Sequence, residues 1–265
     1  MTTIIPKKSL GQNFLHSEAI IKDIVRAGNI SKTDTVLEIG PGKGILTTEL
    51  LKNAGKVISV EKDNRLIPIL KEQFKKEIAE GKFILIHADI LTLNPIPYGL
   101  YPNSYKLIAN IPYYITGQIF RKFLSGENNP STIVLLVQKE VAERIITRDN
   151  KESILSLSVK AYGEPTYVRT VSAGNFFPKP SVDSAILAID NISKDFFNDF
   201  SGDLFFKIIK TGFGQKRKML LGNLKKLFKK EDLEIAFKKC AIDEKSRAED
   251  LPIEKWGELA RKLVE

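Results

Sequence analysis

The sequence predicts an α/β chain with a doubly wound, mostly parallel sheet of seven strands, followed by a small all-helical domain. Three observations carry this. Short β-branched apolar runs alternate with amphipathic helical stretches from about residue 35 to residue 146. The first of those runs ends in a glycine-rich turn, Gly40-Pro41-Gly42-Lys43-Gly44. Past Asp190 no β-rich run appears, and the remaining 75 residues carry helical periodicity only. Strands alternating with helices of this length imply parallel pairing through right-handed crossovers. The expected domains are therefore residues 1–190 and 191–265.

In chain order, a basic arm leads into a helix that Ser17 can cap, with Ile20, Ile21, Ile24 and Val25 at helical spacing. Strands follow at Thr35–Ile39, Lys56–Val60, Phe83–Ala88, Tyr105–Ala109 and Thr132–Val137. The helices between and after them are expected at Ile45–Leu51, Asn64–Ala79, Thr116–Leu124 and Lys139–Ile146. Tyr167–Val171 and Ser184–Ile189 have no helical pattern between them, so they are expected to pair antiparallel at the sheet edge. In the C-terminal region Leu220, Leu224, Leu227 and Phe228 share one helical face and four lysines the other.

Composition narrows the class. With 43% apolar and 9% aromatic residues, the 265-residue chain buries enough surface to offset its ordering entropy, which excludes disorder. Its longest apolar run, Ile133–Val137, is far short of a membrane span, and Met1–Leu15 lacks the apolar block of a secretory signal. A single cysteine, Cys240, excludes an intramolecular disulfide and fits a reducing cytoplasm; it reads as a small buried apolar residue. His16 and His87 are read as non-catalytic, His87 as packing within a strand, and no metal site is expected. The net charge of +9 favours a polyanionic partner. Eleven basic and three acidic residues crowd between Lys207 and Lys239 without an apolar-aromatic face, which favours nucleic acid over a membrane surface. A solubilising lysine-rich face is the plainer alternative.

The glycine turn can bring backbone close to a ligand that a β-carbon would exclude. A phosphate-binding loop would need Ser or Thr after Gly42-Lys43, and a dinucleotide fingerprint would space its last two glycines differently. The remaining pattern, Glu38 followed by three alternating glycines, resembles the first motif of S-adenosylmethionine-dependent methyltransferases. Glu61 ends the second sheet strand, where a carboxylate can accept from both ribose hydroxyls, and Asp89 ends the third, where an acid can accept from an adenine amino group. Solvated strand-end carboxylates are the alternative reading of each.

Asn110-Ile111-Pro112-Tyr113 closes the fourth strand. The lone pair of an adenine amine is delocalised into the ring. Two acceptors holding its hydrogens, the Asn110 side-chain oxygen and a backbone carbonyl such as that of Ile111, can redirect it. Pro112 restricts Ile111 to extended geometry, and Tyr113 can stack on an extruded base. Alignment and charge stabilisation would carry the rate without a strong base. A turn with a capping Asn and a core Tyr is the structural alternative.

Taken with Glu38–Gly44, this tetrapeptide resembles the ribosomal RNA adenine dimethyltransferases. Lys8-Ser9-Leu10-Gly11-Gln12-Asn13-Phe14-Leu15, Phe176–Ser184 and Phe213–Leu220 extend the resemblance over essentially the whole length, to the small-subunit type. It implies a Rossmann-like methyltransferase fold with S-adenosylmethionine as cofactor. It also implies N6-dimethylation of two adjacent adenosines in a hairpin loop near the 3′ end of 16S rRNA in the 30S particle, in a cytoplasmic monomer. Cofactor contacts would map onto Asn13, Leu15, Gly40, Gly42, Glu61, Asp89 and Asn110.

The residues themselves agree with it. Gln12, Asn13 and Phe14 could close over a nucleoside, Phe177 could stack on the second face of the target base, and Lys216, Arg217 and Lys218 could hold phosphates. The same segments could be a helix lead-in, a core phenylalanine and a solvated helix face. Two other functions stay open: an RNA-binding assembly factor with secondary catalysis, and a large-subunit rRNA adenine methyltransferase.

Overall fold

A computed structural model describes residues 5–7, 10–147 and 149–263; Lys8 and Ser9 of the N-terminal motif lie outside the described residues. The strands are β1 (Phe14–Leu15), β2 (Thr35–Ile39), β3 (Lys56–Glu61), β4 (Phe83–His87), β5 (Tyr105–Asn110), β6 (Thr132–Gln138), β7 (Glu164–Val171), β8 (Phe176–Phe177) and β9 (Ser184–Asp190). The helices are α1 (Glu18–Ala27), α2 (Ile45–Asn53), α3 (Ile67–Gln73), α4 (Lys75–Ala79), α5 (Thr116–Leu124), α6 (Lys139–Ile145), α7 (Ile154–Lys160), α8 (Gly202–Gly212), α9 (Leu220–Leu224), α10 (Lys230–Lys239) and α11 (Ile253–Lys262).

Seven strands form one sheet in the order β4-β3-β2-β5-β6-β9-β7. Pairing is parallel from β4 through β6, and β9 runs antiparallel to β6. Residues 132–137 of β6 are all buried, as expected of a strand covered on both faces. Between β2 and β5 the chain reverses its direction of progress across the sheet. Open α/β sheets bind ligands at the carboxyl ends of strands around such a switch point. β1 and β8 form a separate antiparallel pair, with Phe14 opposite Phe177 and Leu15 opposite Phe176.

The chain divides into two compact units, Met1–Ala142 with Thr166–Ile192 and Glu143–Pro165 with Ser193–Glu265. The second unit is helical beyond Ser193 and also gathers α7, which lies N-terminal to residue 190. Packing explains this: α7 contacts α8, and the Glu152 amide donates to the Glu249 carbonyl at 2.8 Å. Cys240 is buried there, and phenylalanines 196, 197, 200, 205 and 206 form an aromatic cluster. No helix among the described residues is long and apolar enough to cross a membrane.

Three local expectations are corrected. The helix expected over Asn64–Ala79 starts only at Ile67, with Pro68 in its first turn, and breaks at Phe74, whose ring packs edge-on against Phe83 at 5.1 Å. Ser17 occupies the position before α1 without a side-chain capping bond. His87 ends β4 exposed rather than packed, because β4 is an edge strand.

Glu38, in the middle of the sheet, fastens three elements. Its Oε2 accepts from Thr47 Oγ1 of α2 at 2.7 Å and from Ser59 Oγ of β3 at 2.6 Å. Burial, opposed by these two hydroxyls, pushes its pKa up from 4.5 to about 7. The protonated carboxyl is therefore favoured in the folded state. The stability this confers is fully present below pH 4.5 and is lost as pH rises through about 7. Denaturant unfolding at pH 5 and pH 8 should show the wild type losing roughly 2 to 3 kcal/mol more than Glu38→Gln over that interval. Equal losses would contradict the assignment.

Candidate active site

The carboxyl ends of β2, β3 and β5, the loop after β4 and the N-terminal arm enclose a cavity of about 190 Å³ in the first unit. Asn13, Leu15, Gly40, Gly42, Glu61, Asp89, Asn110 and Tyr113 all line it, so the residues expected at the cofactor share one wall system. Phe177 does not line it, but sits opposite Phe14, which does, and is 61% exposed. Lys216, Arg217 and Lys218 are exposed in the second unit, on a turn between α8 and α9 rather than on a helix face.

The glycine turn owes its shape to left-handed backbone: φ is +66° at Gly40 and +57° at Gly42. A β-carbon at Gly42 would stand 3.0 Å from the Phe14 ring, so a side chain there would crowd the ring that the arm lays on the turn. At Gly40 a β-carbon would meet nothing within 4 Å, leaving space beside the backbone. Lys43 completes the contact, its ammonium 5.3 Å from the Phe14 ring centroid.

Glu61 braces this turn from the next strand. Its Oε2 accepts the Gly42 amide at 3.2 Å and its Oε1 the Asp63 amide at 2.7 Å. Burial raises its pKa, the two amides opposing the rise. Asp89 is held differently. Lys62 Nζ lies 2.8 Å from its Oδ2 and the Leu91 amide 3.0 Å from its Oδ1, which keeps the carboxyl below its usual pKa. Lys122 of α5 donates to the Leu91 and Leu93 carbonyls at 3.2 and 2.8 Å and so holds the loop that carries Asp89.

Asn110, the last residue of β5, donates from Nδ2 to the Asn13 carbonyl at 3.2 Å. One end of the carboxamide is thereby committed to the arm, leaving Oδ1 as its acceptor end. The Tyr113 hydroxyl pairs with Ser184 Oγ at 2.6 Å, and burial raises its pKa.

Gln12, expected beside a nucleoside, lines the cavity and is also a fastener. Its Oε1 accepts the Lys7 amide at 2.8 Å and its Nε2 donates to Asp63 Oδ2 at 2.9 Å. Arg65 grips the same carboxylate through Nε at 2.9 Å and Nη2 at 2.5 Å, and holds the Ile5 carbonyl through Nη1 at 3.0 Å. The fork keeps Asp63, whose side chain is fully buried, well below the usual carboxylate range. Sequence reasoning missed Asp63 and Arg65, and read Glu38 only as part of the glycine motif. An acid within the otherwise apolar Thr35–Ile39 strand was the one available signal, since a buried carboxyl requires partners.

Residues 6–264 match the family described as ribosomal RNA adenine dimethylase. The chain belongs to that family. Among curated relatives, ribosomal RNA small subunit methyltransferase A of Dehalococcoides mccartyi (strain ATCC BAA-2266 / KCTC 15142 / 195) is 41% identical, over 96% of this chain and 87% of its own. Its counterpart from Clostridium botulinum (strain Okra / Type B1) is 42% identical, over 96% and 92%. Among solved structures, the 23S rRNA methyltransferase ErmE superposes with TM-score 0.77 at 25% identity, over 96% of this chain and 100% of that one. A dimethyladenosine transferase from Plasmodium falciparum gives 0.76 at 27%, over 93% and 95%.

Membership in a dimethylase family of this Rossmann-like fold makes the chain an enzyme and implies S-adenosylmethionine as methyl donor. The cavity suits that group. The backbone beside Gly40 is open, two strand-end carboxylates stand in the wall, and Glu38 Oε1 is buried there with no hydrogen-bond partner. Such a group is what a polar ligand atom would satisfy, Oε1 donating while the carboxyl is protonated and accepting once it ionises. Because Arg65 ties the arm at Ile5 to the buried Asp63 carboxylate, Arg65→Ala should weaken donor binding about tenfold in calorimetric titration. Arg65→Lys should restore only part of it, since an ammonium cannot span both carboxylate oxygens. Unchanged affinity in Arg65→Ala would contradict the fastening role.

Proposed function

We propose that this chain dimethylates the N6 amines of two adjacent adenosines in a hairpin loop near the 3′ end of small-subunit ribosomal RNA, within the 30S particle. The observation that carries the reading is the Asn110 carboxamide, turned by Asn13 so that its oxygen is the free acceptor in the wall of a cavity suited to the donor. S-adenosylmethionine, when bound, supplies an electrophilic methyl group on a sulfonium. The protein's part is alignment and charge. Asn110 Oδ1 accepts one amine hydrogen, and the Ile111 carbonyl is assigned the other, which lifts nitrogen lone-pair density out of the ring. Tyr113, steadied by Ser184, and Phe177 supply faces for the target base. Glu61 is assigned to the ribose hydroxyls, Asp89 to the adenine amine, and Asn13, Leu15, Gly40 and Gly42 to the donor's remaining contacts.

In this reading residues 1–190 hold the donor and perform the transfer. Residues 191–265 dock the particle, with Lys216, Arg217 and Lys218 on phosphates; their exposure supports this. The protein would act as a cytoplasmic monomer during subunit maturation. Methylation of large-subunit RNA is the second reading, favoured by the superposition on ErmE. It ranks lower because relatives named for the small subunit are 41–42% identical against 25% for ErmE.

Labelled methyl groups should pass from S-adenosylmethionine to unmethylated small subunits and not to large subunits. No incorporation while the donor binds would end the proposal. Asn110→Ala should lower kcat more than about 100-fold while changing donor affinity far less. Intact turnover would remove Asn110 from its role.

A further inference from the structure

The tyrosines at 113 and 114 are adjacent in sequence but differently housed. Residues Tyr113–Ile115 form one turn of 3₁₀ helix after Pro112. With three residues per turn, successive side chains diverge by about 120°. Tyr113 turns inward, half-buried, onto Ser184. Tyr114 turns outward: it is 62% exposed, yet it also belongs to the cavity wall, so it stands at the rim. Exposure of this extent leaves most of the ring facing solvent at the mouth of the cavity.

Its placement is held from behind. A β-carbon at Gly11 would stand 3.0 and 3.3 Å from the ring atoms Cε1 and Cδ1 of Tyr114, and 3.1 Å from Pro112 Cβ. The arm's turn at Gly11, where φ is +60°, therefore presses close against one flank of the ring and the proline beside it. The remaining exposed surface is a presented aromatic face. On the same rim, Lys62 Nζ carries 58% side-chain exposure while bound to Asp89, so an exposed cation accompanies the ring. An aromatic face with a neighbouring cation is the combination that holds an unpaired base and its phosphate.

We infer that Tyr114 stacks on the base of a nucleotide flanking the target adenosine, and so fixes the register in which the RNA strand enters the cavity. Because the two tyrosines diverge, they cannot clasp one base together. Tyr114 serves a second one. The inference rests on the proposed RNA methylation and assigns to it a residue outside the motif's expected roles.

The test uses the full-length enzyme with unmethylated small subunits, comparing Tyr114→Leu and Tyr114→Phe with wild type. Leucine keeps an apolar side chain against Gly11 and Pro112 but removes the stacking face. Tyr114→Leu should raise KM for the subunit about tenfold, with kcat and the calorimetric donor affinity unchanged, whereas Tyr114→Phe should stay within about twofold of wild type. An unchanged KM in Tyr114→Leu overturns the inference. So does a weakened donor affinity, which would make the residue part of the donor site, or a loss confined to kcat. Failure of the wild type itself to methylate small subunits would instead overturn the functional reading.

Discussion

One hydrogen bond across 97 residues, from the Asn110 carboxamide to the Asn13 carbonyl, orients the side chain at the carboxyl end of β5. A free asparagine side chain can present either its oxygen or its nitrogen. Here the nitrogen is engaged with the arm, which leaves the oxygen as the acceptor end of a side chain in the cavity wall. That choice depends on the arm being in place, and the arm is held at several points. Gln12 and Arg65 converge on Asp63, Phe14 lies against Gly42, and β1 pairs with β8. The chemistry proposed at this strand end thus requires order in a segment with little regular structure of its own.

The same economy of contacts appears beneath the glycine turn. Glu61 supports the turn from β3, while Glu38 ties β2 to α2 and β3. Both carboxyls are buried and both have raised pKa values, so desolvation costs something at each. They persist because each oxygen that bonds within the protein meets a backbone amide or hydroxyl of fixed position. Glu38 Oε1, which meets neither, stands in the cavity wall. Buried acids here set backbone geometry as well as the polarity of the space they enclose.

The sheet was legible in the sequence because parallel strands covered on both faces read as unbroken apolar runs, as at Ile133–Val137. The strand-end residues were legible with it: once the strands are placed, Glu61 and Asn110 fall at their carboxyl ends and Asp89 just beyond β4. What escaped depends on pairing across the chain. A two-residue strand such as Phe14–Leu15 has no periodicity, and nothing local indicates that it meets Phe176 and Phe177. The fastening role of Gln12 was not legible because its partners, Lys7 and Asp63, become neighbours only in the fold. His87 looked like packing because strand order, which makes β4 an edge, is not written in the strand itself. The affiliation of α7 with the helical unit is long-range in the same sense.

A crystal structure of the protein with S-adenosylhomocysteine is the most direct trial of this account. The thioether product should lie along the carboxyl ends of β2 to β5, with its ribose on Glu61, the Asn110 oxygen facing the sulfur side and Asn110 Nδ2 still on the Asn13 carbonyl. A product bound outside this cavity, or an Asn110 side chain rotated away from it, would contradict the account at its centre.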